Sequence, residues 1–163
     1  MAERLGWMMC RRSFFGTLMA GLAAGSAGAA PATRDPRTAL SEEEDFAVPP
    51  HRVYDALLDA KQFGAFSGAP ATIDRKEGGA LILFGGAIVA RNVELLPDKR
   101  IVQAWRDADW APGIYSMLRF EISPKNGGTH LTLVQTGFPA GQYADLHAGW
   151  HEHYLAPMKK YLR

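Results

Sequence analysis

From Leu40 onward the chain moves between two hydrophobic periods, and the changes of period predict its elements. Residues 40–48 read as an exposed first strand, carrying Glu42, Glu43, Glu44 and Asp45 and ending at Pro49-Pro50. Pro50 suits the first turn of a helix, where its missing N–H has no bond to lose. Val53, Leu57 and Leu58, with Tyr54 and Ala56, then recur at helical spacing. Residues 62–66 predict a second short helix, stopped by Ser67-Gly68-Ala69-Pro70. From Ala71 to Phe138 the period falls to two. Gly78-Gly79 and Gly85-Gly86 bracket residues 80–84, and residues 88–95 run to Pro97-Asp98. Ile101, Gln103 and Trp105 share one face, while Ser116, Leu118, Phe120 and Ile122 oppose Met117, Arg119 and Glu121. Asn126-Gly127-Gly128 is a hairpin turn signal, after which Leu131 and Leu133 share a face. Strands that follow one another with no helical crossover between them are antiparallel.

Residues 142–163 return to the helical period. Leu146, Trp150, Tyr154, Met158 and Leu162 stand four apart and form an apolar stripe, and Pro157 is expected to bend this helix or end its first half. The stripe needs a sheet face to cover it. The order of strand, two short helices, a run of strands and one long helix is therefore that of an α+β domain over residues 39–163.

The first 29 residues have a different character. Arg4, Arg11 and Arg12 precede the uncharged run FFGTLMAGLAA at residues 14–24, which is shorter than the about 20 residues of a membrane-spanning helix. Small residues follow, and Ala27-Gly28-Ala29 supplies an A-x-A cleavage site. A basic start, a short apolar middle and a small-residue end make a secretory signal peptide, which predicts a bacterial periplasmic or secreted protein. Arg11-Arg12 followed by Ser13-Phe14-Phe15 resembles the twin-arginine signal, with the twin-arginine export machinery as the precursor's partner. Cys10 and Gly16 depart from the usual residues of that signal. The alternative, an amphipathic helix of a cytosolic protein, has five glycines and no polar face against it. Residues 30–38 read as a linker.

Composition acquires its meaning once the chain is divided. The 163 residues carry a net charge of +1. Glu3 and three of the 18 basic residues fall in the leader, so 15 basic and 16 acidic residues remain, a net −1. That balance, with dispersed basic residues, offers no surface for nucleic acid. The single Cys also lies in the leader, which excludes disulfides, thiolate zinc sites and cysteine catalysis in the remaining domain.

The segments FAVPPHRVYDALLDA, GGALILFGG, VELLPDKRIVQAWR, GGTHLTLVQTGFP and AGWHEHYLAPMKKYL, in this order, resemble the family named after the activator of the heat-shock protein 90 ATPase. The resemblance covers residues 40–163 and places the chain in the SRPBCC superfamily, with START lipid-transfer domains and the birch pollen allergen. It implies a helix-grip fold, in which a curved antiparallel sheet wraps around a long C-terminal helix and encloses a cavity. It brings no universal catalytic set. The co-chaperone activity in the family name would lack its ATP-driven partner in an exported chain, and fold alone does not fix function.

Four sets of residues are candidates for chemistry or binding. Phe63, Phe66, Phe84, Trp105, Trp110, Tyr115, Trp150 and Tyr154 are candidates for lining a pocket for a small apolar or amphipathic molecule, although the same residues serve equally to fill a core. Arg106 and Arg119, with Asp109 and Glu121, are candidates for orienting a ligand's polar group. His147 and His151, four apart on one helix face, are candidate metal ligands. Their third ligand is expected from the sheet, from His130 or Asp109, and His153 points elsewhere. An exposed helix face carries such histidines without any metal, and no cofactor is expected. Asp109, Glu121 and His130 are candidate acid–base groups, with no pair at a diagnostic spacing. The expectation is a cavity-binding protein without evident catalysis. An interaction module of co-chaperone type and a cyclase- or dehydratase-like cavity enzyme are the alternatives.

Overall fold

The computed structural model describes residues 34–163. The signal peptide expected over residues 1–29, with Arg11, Arg12, Ala27 and Ala29, lies outside the described residues, as does the first part of the linker.

Seven antiparallel strands form one curved sheet. In chain order they are β1 (Ala39–Phe46), β2 (Thr72–Ile73), β3 (Ala80–Leu83), β4 (Ile88–Leu96), β5 (Arg100–Asp107), β6 (Ser116–Lys125) and β7 (Gly128–Thr136). Their order across the sheet is β1-β7-β6-β5-β4-β3-β2. The first strand thus lies beside the last, in register from Ala39 opposite Thr136 to Phe46 opposite Thr129. Two helices, α1 (Pro50–Leu58) and α2 (Ala60–Ser67), connect β1 to β2. Asp59 starts α2 earlier than residue 62, because its carboxylate accepts the N–H groups of Lys61 and Gln62 at 3.0 and 2.9 Å and so caps the helix.

Local chemistry explains the tight turns. Asn126 and Gly127 both have positive φ, 51° and 79°, the backbone of the two-residue hairpin loop expected there. Gly128 has another reason to be glycine: a Cβ there would stand 2.2 Å from the Phe46 carbonyl oxygen. The close approach of β7 to the end of β1 depends on that missing side chain.

The C-terminal helix runs as α3 (Tyr143–Gly149), a π-helical segment (Trp150–Leu155) and α4 (Ala156–Tyr161). Its five stripe residues are at most 3% exposed; Trp150 packs against Trp105 of β5, Phe120 of β6 and Gln135 of β7, and Tyr154 packs against Phe63 and Phe66 of α2. Pro157 does not end the helix. The turn before it widens instead, with the Ala156 N–H donating to the His151 carbonyl five residues back. That wider turn accommodates a proline ring, which in a regular helix collides with the carbonyl four residues back. Pro157 then falls in the first turn of α4, where its missing N–H is tolerated.

Candidate functional site

Between helix and sheet, aromatic rings pack against one another. Phe63 meets Phe66, Phe84 and Tyr154 with centroids 4.9, 5.4 and 5.3 Å apart. Trp150 meets Tyr154 at 4.5 Å and Trp105 at 5.9 Å, and Trp105 meets Trp110 at 5.5 Å. All six pairs are tilted or edge-on, the arrangements favoured by ring quadrupoles. Seven of the eight aromatic residues expected to line a pocket pack into or against the core in this way, with Phe84 only partly buried and Trp110 at the edge, where it also borders the cleft described below. Tyr115 is the exception, 48% exposed, with the Arg106 guanidinium 5.7 Å from its ring centre. Phe84 enters the group at a backbone cost, since its φ is +52°, a region that bulky residues rarely adopt.

The polar atoms in this interior are matched in a chain. The Trp150 indole N–H donates to Gln135 Oε1 at 2.7 Å, Gln135 Nε2 to Ser116 Oγ at 2.8 Å, and Ser116 Oγ to the Trp105 carbonyl at 3.0 Å. A second pair follows, with Gln103 Nε2 donating to Asn92 Oδ1 and Asn92 Nδ2 to the Asp74 carbonyl, both at 3.0 Å. Burial raises the pKa of the Tyr154 hydroxyl strongly, and the Trp105 indole beside it lowers it in part.

An open cleft of about 550 Å³ lies at one end of the sheet. There the β5–β6 loop meets the β7–α3 loop and Arg34, so that Trp110, Ile114 and Pro139 supply apolar walls and Arg34, Asp109 and Gln142 polar ones. Trp110 is fixed from two sides. Its indole N–H donates to Gln142 Oε1 at 3.3 Å, and its carbonyl accepts from Arg106 Nη2 at 2.5 Å. Close by, the buried Asp107 carboxylate accepts the Asp109 N–H at 2.8 Å. Desolvation by burial pushes its pKa up, and that backbone hydrogen bond offsets part of the rise.

The candidate acid–base groups do not converge. Asp109 borders the cleft. Glu121 lies on β6, where Arg100 Nε donates to it at 2.9 Å and Arg119 Nε stands 3.3 Å away. His130 projects from β7 toward Asp45, with Nδ1 2.6 Å from Oδ1. Arg106 and Arg119 are likewise engaged with protein groups of their own.

His147 and His151 do come together, and with a carboxylate that the sequence reading did not select. The third member is neither His130 nor Asp109 but Glu42 of β1. Its Oε1 lies 2.5 Å from His147 Nδ1 and its Oε2 2.9 Å from His151 Nε2. Residues of β1 alternate, so Glu42 and Glu44 point toward the C-terminal helix while Glu43 and Asp45 point away. Lys159 Nζ completes the seam by donating to Glu44 Oε1 at 2.5 Å. The signal that could have found Glu42 was this alternation, hidden in an unbroken acidic run. His153 lies apart, with its ring 6.2 Å from that of Phe84.

A curved antiparallel sheet of seven strands closed by one long C-terminal helix over an aromatic-rich core defines a helix-grip protein. Within that class the chain belongs to the family described as Activator of Hsp90 ATPase homolog 1-like protein, which matches residues 47–163. It is 32% identical over 129 residues to an activator of 90 kDa heat shock protein ATPase homolog of Dictyostelium discoideum, covering 78% of this chain and 34% of that protein. A human activator of 90 kDa heat shock protein ATPase homolog 1 is 28% identical over 125 residues, 77% of this chain and 37% of its own length. The chain thus spans about a third of the length of these curated relatives. The crystal structure of an HSP90 activator from Plasmodium falciparum superposes with a TM-score of 0.73 at 28% identity, covering 76% of this chain and 95% of that one.

Proposed function

We propose that the chain is a non-catalytic binding module that engages a polypeptide partner through its surface and works outside the cytosol. The aromatic interior carries this reading, because the rings of Phe63, Phe66, Phe84, Trp105, Trp150 and Tyr154 pack against one another between the C-terminal helix and the sheet, where the fold can hold a ligand. The relatives support it, since their names assign them to activation of a protein, the Hsp90 ATPase. The outer sheet face supports it too. Ile82 and Met117 are 47% and 44% exposed, among Arg91, Arg106 and Arg119, and Met and Arg are enriched in the cores of protein interfaces.

Export rests on the leader: Arg11-Arg12, the short apolar run and Ala27-Gly28-Ala29. An exported domain does not meet a cytosolic ATPase, so its partner is another exported polypeptide. Cross-linking in intact cells, followed by fractionation and intact-mass measurement, tests both halves. The expected result is a periplasmic chain lacking residues 1–29, with cross-links from the outer sheet face to one protein. A full-length chain confined to the cytosol that raises the turnover of an Hsp90-type ATPase would overturn export and restore the relatives' activity.

The cleft supports a second reading, binding of a small amphipathic molecule. It is open to solvent, and Trp110 with Gln142 offers both an apolar wall and a polar anchor. Thermal stabilisation by such a compound, abolished in Trp110→Ala, would favour this reading over the first.

A further inference from the structure

We infer that Glu42, His147 and His151 form a binding site for a divalent transition-metal ion, Zn2+ or a close neighbour, at the seam between β1 and the C-terminal helix. One nitrogen from each imidazole and the Glu42 carboxylate lie within 4.8 Å of one another. They come from two elements distant in sequence, so the arrangement is a product of the fold and not of local spacing alone. Ligands at about 2.0–2.2 Å from a tetrahedral ion stand a little over 3 Å from each other. The present separations of 2.5 and 2.9 Å from Glu42 to the two rings need only a small opening to admit such an ion.

Two imidazoles and one carboxylate are a donor set that suits zinc, copper, nickel and iron and does not suit calcium or magnesium. The site is anchored on the protein side. Glu42 is only 10% exposed, held by the sheet and aimed at the helix, and Tyr143 stacks on the His147 ring with centroids 6.0 Å apart. The two rings are about half exposed, which leaves the ion's remaining position open to water or to a partner's side chain. With three protein ligands, this is the open kind of zinc site and not the closed structural kind. An ion here ties the first strand of the domain to its last helix and favours the folded state by binding it alone.

The experiment is a titration of chelator-stripped protein with ZnSO4 by calorimetry and with CoCl2 by visible absorption, with thermal unfolding alongside. One ion per chain is expected, with the Co2+ d–d bands of an N/O-ligated four-coordinate site and a higher unfolding temperature. Glu42→Gln, His147→Ala and His151→Ala should each weaken binding by more than the about 10- to 100-fold that follows loss of a ligand's hydrogen-bonding neighbour. His51→Ala, far along the chain in α1, should bind as the parent does. Near-UV circular dichroism checks that the variants keep their packing, and the two histidines are exposed enough to be replaced without emptying the core. No saturable binding at one ion per chain overturns the inference. So does Glu42→Gln binding like the parent, which would leave only chelation by a histidine pair on a helix. Variants that lose stability while the parent ignores the metal also overturn it, and make the cluster an ion-paired latch.

Discussion

At the scale of single residues, the interior is specified by hydrogen bonds as much as by rings. Trp150 shows this, because its ring fills the space between Phe120 and Tyr154 while its N–H satisfies Gln135 Oε1. Trp150→Phe keeps much of the apolar contact and strands that oxygen away from water, so it should cost about 2–4 kcal/mol from the orphaned acceptor and the residual void. Urea unfolding should show a lower midpoint with an unchanged slope. Asp107 makes a prediction of opposite sign. Burial raises its pKa in the folded state above the 3.8 of an exposed Asp, so the folded protein holds that proton more tightly than the unfolded chain does. The stability this confers is fully present below 3.8 and is lost as pH rises through the elevated folded-state value. At neutral pH the buried carboxylate is a cost. Asp107→Asn keeps an oxygen for the Asp109 N–H and removes the charge, so it should unfold at a higher temperature than the parent at pH 7. Thermal scans should show the difference shrinking as pH falls toward 4, and a variant less stable than the parent at pH 7 would contradict the argument.

At the scale of elements, the hydrophobic period made most of the fold legible. The stripe Leu146, Trp150, Tyr154, Met158 and Leu162 is buried throughout, and the alternation in β5, β6 and β7 put the expected residues inside because a strand can bury only every second side chain. What escaped was set by contacts between distant elements. The period sees that residues 42–45 are polar, but not that Glu42 faces a helix more than a hundred positions away. Nor does it see that a π-helical turn stands ahead of Pro157, since the pattern at four-residue spacing continues across it. The aromatic group was legible as a set, but whether rings leave room for a ligand depends on how they tilt against each other. Gly128 is a case of the same limit: the turn signal ahead of it was plain, yet its role is to admit the Phe46 carbonyl of a neighbouring strand. Gly128→Ala must push β1 away from β7 by moving backbone, and it should cost about 1–3 kcal/mol or more. Hydrogen exchange should place the loss at the Phe46 end of β1, with the β6–β7 hairpin less affected.

At the scale of the whole molecule, the helices cover one face of the sheet and leave the other open, which lets stability and binding be separated. Inward residues such as Trp150 and Leu133 belong to the core, whereas Ile82 and Met117 stand on the outer face with nearly half of their surface exposed. Substitutions at exposed positions usually change stability by no more than about 0.5 kcal/mol. Replacing an apolar contact with a carboxylate inside an interface, by contrast, leaves a charge unpaired away from water. The pair Ile82→Asp and Met117→Asp should therefore unfold like the parent and lose the cross-link to the polypeptide partner in intact cells. Trp110→Ala alters the cleft at the end of the sheet and keeps the main-chain carbonyl that Arg106 of the outer face donates to, so in protein shown by circular dichroism to keep its fold the same cross-link should survive it. If the aspartate pair leaves partner capture intact and Trp110→Ala abolishes it, the working surface is the cleft, and binding by the outer sheet face is refuted.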